Sequence, residues 1–124
     1  MDVDDARQTG GAGTPCCPPL TGTAMSAEQA ERVAPLLKAL ADPVRLRLVS
    51  LIASAERGEA CVCDLNEAFD LTQATVSHHL KVLHSAGVLD REKRGVWVWY
   101  AVRPQALAAV ATLFASPALV GAGR

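Results

Sequence analysis

Aromatic side chains are scarce in this chain, 4% of its 124 residues, although half of the residues are apolar. A ring-filled core is therefore excluded. Leu, Val and Ala must supply it, and the length suits one domain with one modest core. Long apolar runs are also missing: none approaches the ~18 residues needed to span a bilayer. The opening MDVDDARQTG is acidic and lacks an apolar stretch, so it does not read as a signal peptide. The expected location is cytoplasmic, where thiols stay reduced. The four cysteines then point to metal or redox chemistry rather than to a disulfide framework. Excess charge of one sign is absent too. A net charge of −1 gives no global pull toward nucleic acid, so any DNA contact must rest on a local surface.

What is present is helical period and its punctuation. Residues 1 to 25, rich in Gly, Thr, Pro and Asp, read as a mobile arm. Ser26, with Gln29 three residues on, forms a capping box, and Val33, Leu36, Leu37 and Leu40 follow at helical spacing. Pro35 inside that run predicts a kink or a restart. Asp42-Pro43 reads as an N-cap and a first-turn proline opening a heavily apolar helix with Val44, Leu46, Leu48, Val49, Leu51 and Ile52. ERGEA, residues 56–60, breaks the pattern. A short helix in CDLNEAF follows, with Leu65, Ala68 and Phe69 turned inward. After a turn, Thr72 caps a helix whose Val76, Leu80 and Leu83 form a stripe, and Gly87 ends it. The runs VLDRE and VWVWYAV, separated by KRG, signal a hairpin. Pro104 opens a last helix with Leu107, Val110, Leu113 and Phe114 on one face. The expected fold is mainly α with a small β-hairpin, a winged helix-turn-helix over residues 26–116, followed by a frayed tail at 117–124.

Opposite the Val76/Leu80/Leu83 stripe lie Gln73, Ala74, Ser77, His78 and Lys81, brought to one exposed face by spacings of three and four. Small polar side chains suit the floor of a DNA major groove. Gln73 and Thr75 occupy the first turn, which in a recognition helix enters deepest. Lys81 would meet phosphate, and Lys93 and Arg94 at the hairpin tip would add backbone contacts. His79, beside Val76 and Leu83, is expected partly buried, and His84 solvated.

LKALADPVRLRLVSLI, CVCDL, TQATVSHHLKVLHSAGVL and VWYAV, in that order and spacing, resemble the ArsR/SmtB family of metal-responsive repressors, most closely its arsenite-sensing branch. The resemblance runs from about Leu36 to Val102. It implies a homodimer joined through the first and last helices, binding to double-stranded operator DNA, and release when metal binds. An enzyme is not expected, since a thiol enzyme would need a nucleophilic cysteine beside an anion-binding loop or a Cys-x-x-Cys pair, and neither is present. Two departures stand out. The zinc and nickel sensors of the family use His and carboxylate ligands on the last helix, and here RPQALAAVATLFASPA contains none. Several arsenic sensors carry a third cysteine after the Cys-Val-Cys-Asp-Leu run, and here Asn66 stands there.

Thiolates select soft ions, and their number discriminates among them. Cys61 and Cys63 are two apart, about 200° around an ideal helix, and diverge if both are helical. If the helix starts near Cys63, Cys61 lies in the preceding turn and can share an ion. Trivalent arsenic or antimony takes three thiolates, and cadmium or lead often takes four. Cys16 and Cys17, flanked by prolines on the arm, can supply the remainder, since an extended chain reaches roughly 3.3 Å per residue. The expected function is an As(III)- or Sb(III)-responsive repressor whose metal ligands are three of Cys16, Cys17, Cys61 and Cys63, with Cys16, Cys17 and one of Cys61/Cys63 the preferred set. The alternatives are a Cd(II)/Pb(II) sensor using all four thiols and a repressor switched by thiol oxidation.

Overall fold

The computed structural model describes Leu20 and residues 23–115. These form five α-helices and one small sheet: α1 (Ala27–Leu40), α2 (Pro43–Ser54), β1 (Glu59–Cys61), α3 (Val62–Glu67), α4 (Gln73–Ser85), β2 (Leu89–Arg94), β3 (Trp97–Val102) and α5 (Pro104–Phe114). The arm of residues 1–19, with Cys16 and Cys17, and the tail from 116 onward lie outside the described residues. No helix among the described residues is long and apolar enough to cross a membrane.

Local chemistry sets most helix starts. The Ser26 hydroxyl accepts from the Gln29 N–H while the Gln29 side chain accepts from the Ser26 N–H, closing the expected box at α1. The Asp42 carboxylate accepts from the N–H groups of Val44 and Arg45 at the head of α2. Thr72 accepts from the Thr75 N–H at the head of α4. Gly87 takes a left-handed φ of 90° just beyond α4, where a Cβ would be strained.

The core lies where α2, α3 and α4 meet the sheet. Leu48 and Ile52 of α2, Leu65 of α3, Val76, Leu80 and Leu83 of α4, and Leu89 and Tyr100 of the hairpin all bury into it. A smaller cluster joins α1 to α5 through Val33, Ala109 and Leu113.

Five local expectations change. Ala68, expected to turn inward with Leu65 and Phe69, is exposed, because α3 ends at Glu67 and Ala68 is its C-cap. Pro35 sits inside an unbroken α1, with no restart at the proline. On α2 only Leu48, Val49 and Ile52 are buried; Leu46 and Leu51 flank that face and stay exposed. On α5 the buried residues are Ala106, Ala109 and Leu113, not Phe114, because small side chains let this helix pack closely on α1. The hairpin turn is Gly95-Val96 rather than KRG, since β2 runs through Arg94 and pairs it with Trp97. Gly95 has φ 64°, the conformation that two-residue hairpin turns with a leading glycine require.

The ERGEA break also holds structure. After a 3-10 turn at Glu56–Gly58 the chain forms β1, a three-residue strand antiparallel to β3, giving the sheet order β1-β3-β2. Its register sets Glu59 opposite Ala101 and Cys61 opposite Trp99.

Candidate nucleic-acid interface and thiol site

Gln73, Ala74, Ser77, His78 and Lys81 are exposed on α4, and their helix is held from behind by the fully buried Val76, Leu80 and Leu83. Thr75 is half-buried and its hydroxyl lies 2.8 Å from that of Thr72, so it shapes the first turn more than it projects from it. His79 is partly buried, with Nδ1 3.3 Å from Arg45 Nη1 and 4.0 Å from Asp42 Oδ2; it ties α4 to the head of α2. His84 is exposed.

Between α4 and the hairpin runs a groove of about 630 Å³, lined by Gln73, Ser77 and Lys81 on one side and Arg91, Trp97 and Val98 on the other. A second groove, of about 520 Å³, continues from Lys81 and His78 to Lys38 and Arg45. Among the described residues no Asp or Glu lines either one. A chain with a net charge of −1 thus presents a cationic strip along its exposed helix, the local surface that phosphate binding needs.

The hairpin tip divides. Side chains alternate along a strand, so Arg91 and Lys93 share one face of β2 with Leu89, and Glu92 and Arg94 share the other. Among the described residues no carboxylate pairs with Arg91 or Lys93. Arg94 is engaged. Its Nη1 and Nη2 donate to the two carboxylate oxygens of Glu59 at 3.1 and 2.8 Å, and its Nη2 and Nε donate to Glu92 Oε1 at 2.7 and 3.0 Å. The guanidinium also stacks over Trp99, 4.9 Å from the ring centre. Hydrogen bonding from Arg94 holds the Glu59 carboxyl below its ordinary value, and the two carboxylates push Arg94 higher still.

Sequence reading missed Arg91 and Trp97 as groove residues. Carrying strand alternation through KRG would have found Arg91 and separated Lys93 from Arg94.

Cys61 ends β1 and is the N-cap residue of α3; it is 3% exposed, while Cys63 in the first turn is half-buried. With Cys61 outside the helix, the two side chains converge instead of diverging. Their Cα atoms are 5.2 Å apart and the sulfurs are joined in a disulfide. The Cys63 N–H donates to the Cys61 sulfur at 3.2 Å. Among the described residues no third His, Cys, Asp or Glu joins the pair in a metal-binding group. Asn66, one helical turn beyond Cys63, keeps its side-chain oxygen buried with no hydrogen-bond partner among the described residues.

A supported helix with a cationic exposed face, flanked by a β-hairpin wing, defines a winged-helix DNA-binding regulator. The model for the arsR family of bacterial regulatory proteins matches residues 42–91. An HTH-type transcriptional regulator of Methanocaldococcus jannaschii is 40% identical over 73 residues, which are 59% of this chain and 80% of that one. The arsenical resistance operon repressor of Escherichia coli is 46% identical over 69 residues, 56% of this chain and 57% of the relative. A crystal structure of a possible transcriptional regulator for arsenical resistance superimposes with TM-score 0.56 at 37% identity, covering 60% of this chain and 75% of that one. Regulators of cadmium resistance also match. This chain belongs to the arsR family: it is a DNA-binding transcriptional regulator and not an enzyme. It spans a little over half the length of the arsenical repressors it matches.

Proposed function

We propose that this protein is a metalloid-responsive repressor. It binds operator DNA as a homodimer joined through α1 and α5, and it releases the DNA when arsenite or antimonite is captured by three of Cys16, Cys17, Cys61 and Cys63. The observation that carries the reading is the convergence of the Cys61 and Cys63 sulfurs at the foot of α3, the helix that packs under α4. Two sulfurs are too few for trivalent arsenic, and α5 offers no His, Cys, Asp or Glu. The remaining ligand then comes from Cys16 or Cys17. Gln73, Ala74, Ser77 and His78 face the base edges, with Thr75 setting the first turn; Lys81 and Lys93 meet phosphate, joined by Arg91.

The test uses the reduced full-length protein on an operator fragment. C16S/C17S should bind the operator as the unmodified chain does and fail to release it with arsenite; normal release by the double variant removes the arm from the site. Adding N66C to the double variant should restore release, since it places a third sulfur one turn from Cys63 and removes a buried oxygen that has no partner to lose. Strong sulfur-to-cadmium absorption at four thiols per ion, without arsenite release, would replace the metalloid by cadmium.

The disulfide favours one second reading, a redox switch in which Cys61 and Cys63 lose two electrons and two protons to an oxidant such as peroxide. Release by peroxide with arsenite inert would select it.

A further inference from the structure

Arg94 stands at the wing tip, where a cation could be expected to meet DNA, yet its charge is spent. One guanidinium faces two carboxylates, Glu59 and Glu92, so the cluster as a whole repels phosphate. Its bidentate partner Glu59 is 35 residues away in sequence and begins β1, the three-residue strand that ends in Cys61. Cys61 in turn is the cross-strand partner of Trp99, the ring on which Arg94 stacks. Both ends of β1 are therefore tied to the wing: Glu59 by a fork of two charge-assisted hydrogen bonds, and Cys61 by backbone pairing opposite the same indole. An exposed ion pair by itself contributes little. This one joins the thiol site to the wing tip through one three-residue strand.

We propose that Arg94 is a positioning residue that couples thiol chemistry at Cys61/Cys63 to the wing, through β1 and Glu59, and does not itself contact DNA. Capture of the two sulfurs displaces β1, the Glu59–Arg94 fork carries the displacement to the tip of β2, and Arg91 and Lys93 on the opposite face of that strand lose their register with α4 and the DNA backbone. The proposal rests on the thiol-switch reading above but does not depend on which ion is the effector.

The experiment therefore uses phenylarsine oxide, which takes two thiols with loss of one water and no change of oxidation state. The reduced full-length protein, R94Q, R94K and E59Q are each titrated with it, with and without an operator fragment, and C16S/C17S carried alongside shows that capture at Cys61 and Cys63 is enough for release. Tryptophan emission, read without operator so that Trp97 in the α4 groove does not respond to DNA, reports capture beside Trp99. Before capture, all three variants should bind the operator within about threefold of the unmodified chain and with the same salt slope, whereas a lost phosphate contact lowers that slope by about 1. After capture, the unmodified chain should lose affinity within the ordinary allosteric range, roughly 5- to 150-fold, and the variants under about threefold. R94K is decisive because lysine keeps the charge but cannot form the fork or the planar stack. If R94K behaves as the unmodified chain, or R94Q shows a lower salt slope, Arg94 is a DNA contact and the proposal is overturned. It is equally overturned if capture registers in the emission but releases all four proteins alike, or none. Arsenite run in parallel separates the two readings: no response to arsenite, with Arg94-dependent release by phenylarsine oxide, removes the metalloid and leaves the coupling.

Discussion

Arg91 and Arg94 are three residues apart on one strand and belong to opposite sides of the molecule. On the α4 side Arg91 joins Lys81, Lys38 and Arg45 along two grooves that no carboxylate lines among the described residues. On the thiol side, a cavity of about 440 Å³ is bordered by Glu56, Glu59 and Asp64 together with Arg57 and Arg94, and Arg94 is bound to two carboxylates. The near-zero net charge of the chain conceals these two unlike surfaces. The contrast is that Arg91, Lys81 and Lys38 have no carboxylate partner among the described residues, whereas Arg94 is consumed in holding β1 to the wing. Strand alternation does the sorting at the wing, since one residue of slip would exchange Arg91 and Lys93 for Glu92 and Arg94.

The two sides share one core, and breaking it should erase the comparison. Leu80 is fully buried on α4 within the cluster that also holds Leu65 of α3 and Leu89 of β2. Leu80→Ala should cost about 2–5 kcal/mol, read as a fall in urea or thermal midpoint. Operator binding and thiol response should fail together over the same range. If one survives at a temperature where the other is gone, the sides are independent units.

The helices of this fold were legible because their signals are local. Ser26, Asp42 and Thr72 each act within three residues, and the α4 stripe repeats within one element. The polar face of α4 followed from the same periodicity. β1 was not legible: Glu59–Cys61 becomes a strand only by pairing with residues 99–101, a contact that no local window contains. The fate of Arg94 was hidden for the same reason, since its partner Glu59 lies far back in the chain. The Cys61/Cys63 geometry was legible only conditionally, because it turned on whether Cys61 fell inside the helix.

A smaller effect sharpens the contrast. Arg91→Gln and Lys81→Gln should each weaken operator binding several-fold at moderate salt. Each should also reduce the slope of log affinity against log salt by about 1, as expected for one lost phosphate contact. Melting midpoints should hardly change, because neither side chain supports the core. Unchanged slopes for both variants would mean that the cationic strip does not face DNA, and the sorting of charge would need another cause.

Acid should give the smallest effect and act on both sides at once. On the α4 side the Asp42 carboxyl is held below its ordinary 3.8, chiefly by the Arg45 backbone N–H and then by the charges of Arg45 and His79. On the thiol side Glu59 is held below its ordinary 4.5, chiefly by hydrogen bonding from Arg94. A carboxyl depressed by folding contributes stability that is fully present above its unfolded value and is lost as the pH falls through the folded one. Both contributions are therefore intact at neutral pH and decline below about pH 4. Thermal midpoints measured from pH 7 to pH 3 should fall least steeply in a D42N/E59Q double variant, because neither amide titrates. Asn remains a good N-cap, so D42N alone should keep α2 and flatten only the share that comes from the α4 side. E59Q alone should flatten only the share that comes from the thiol side, where protonation frees Arg94 from half of its clamp. Identical acid profiles for E59Q and the unmodified chain would show that the fork holds no part of the fold's stability, and would confine Glu59 to coupling.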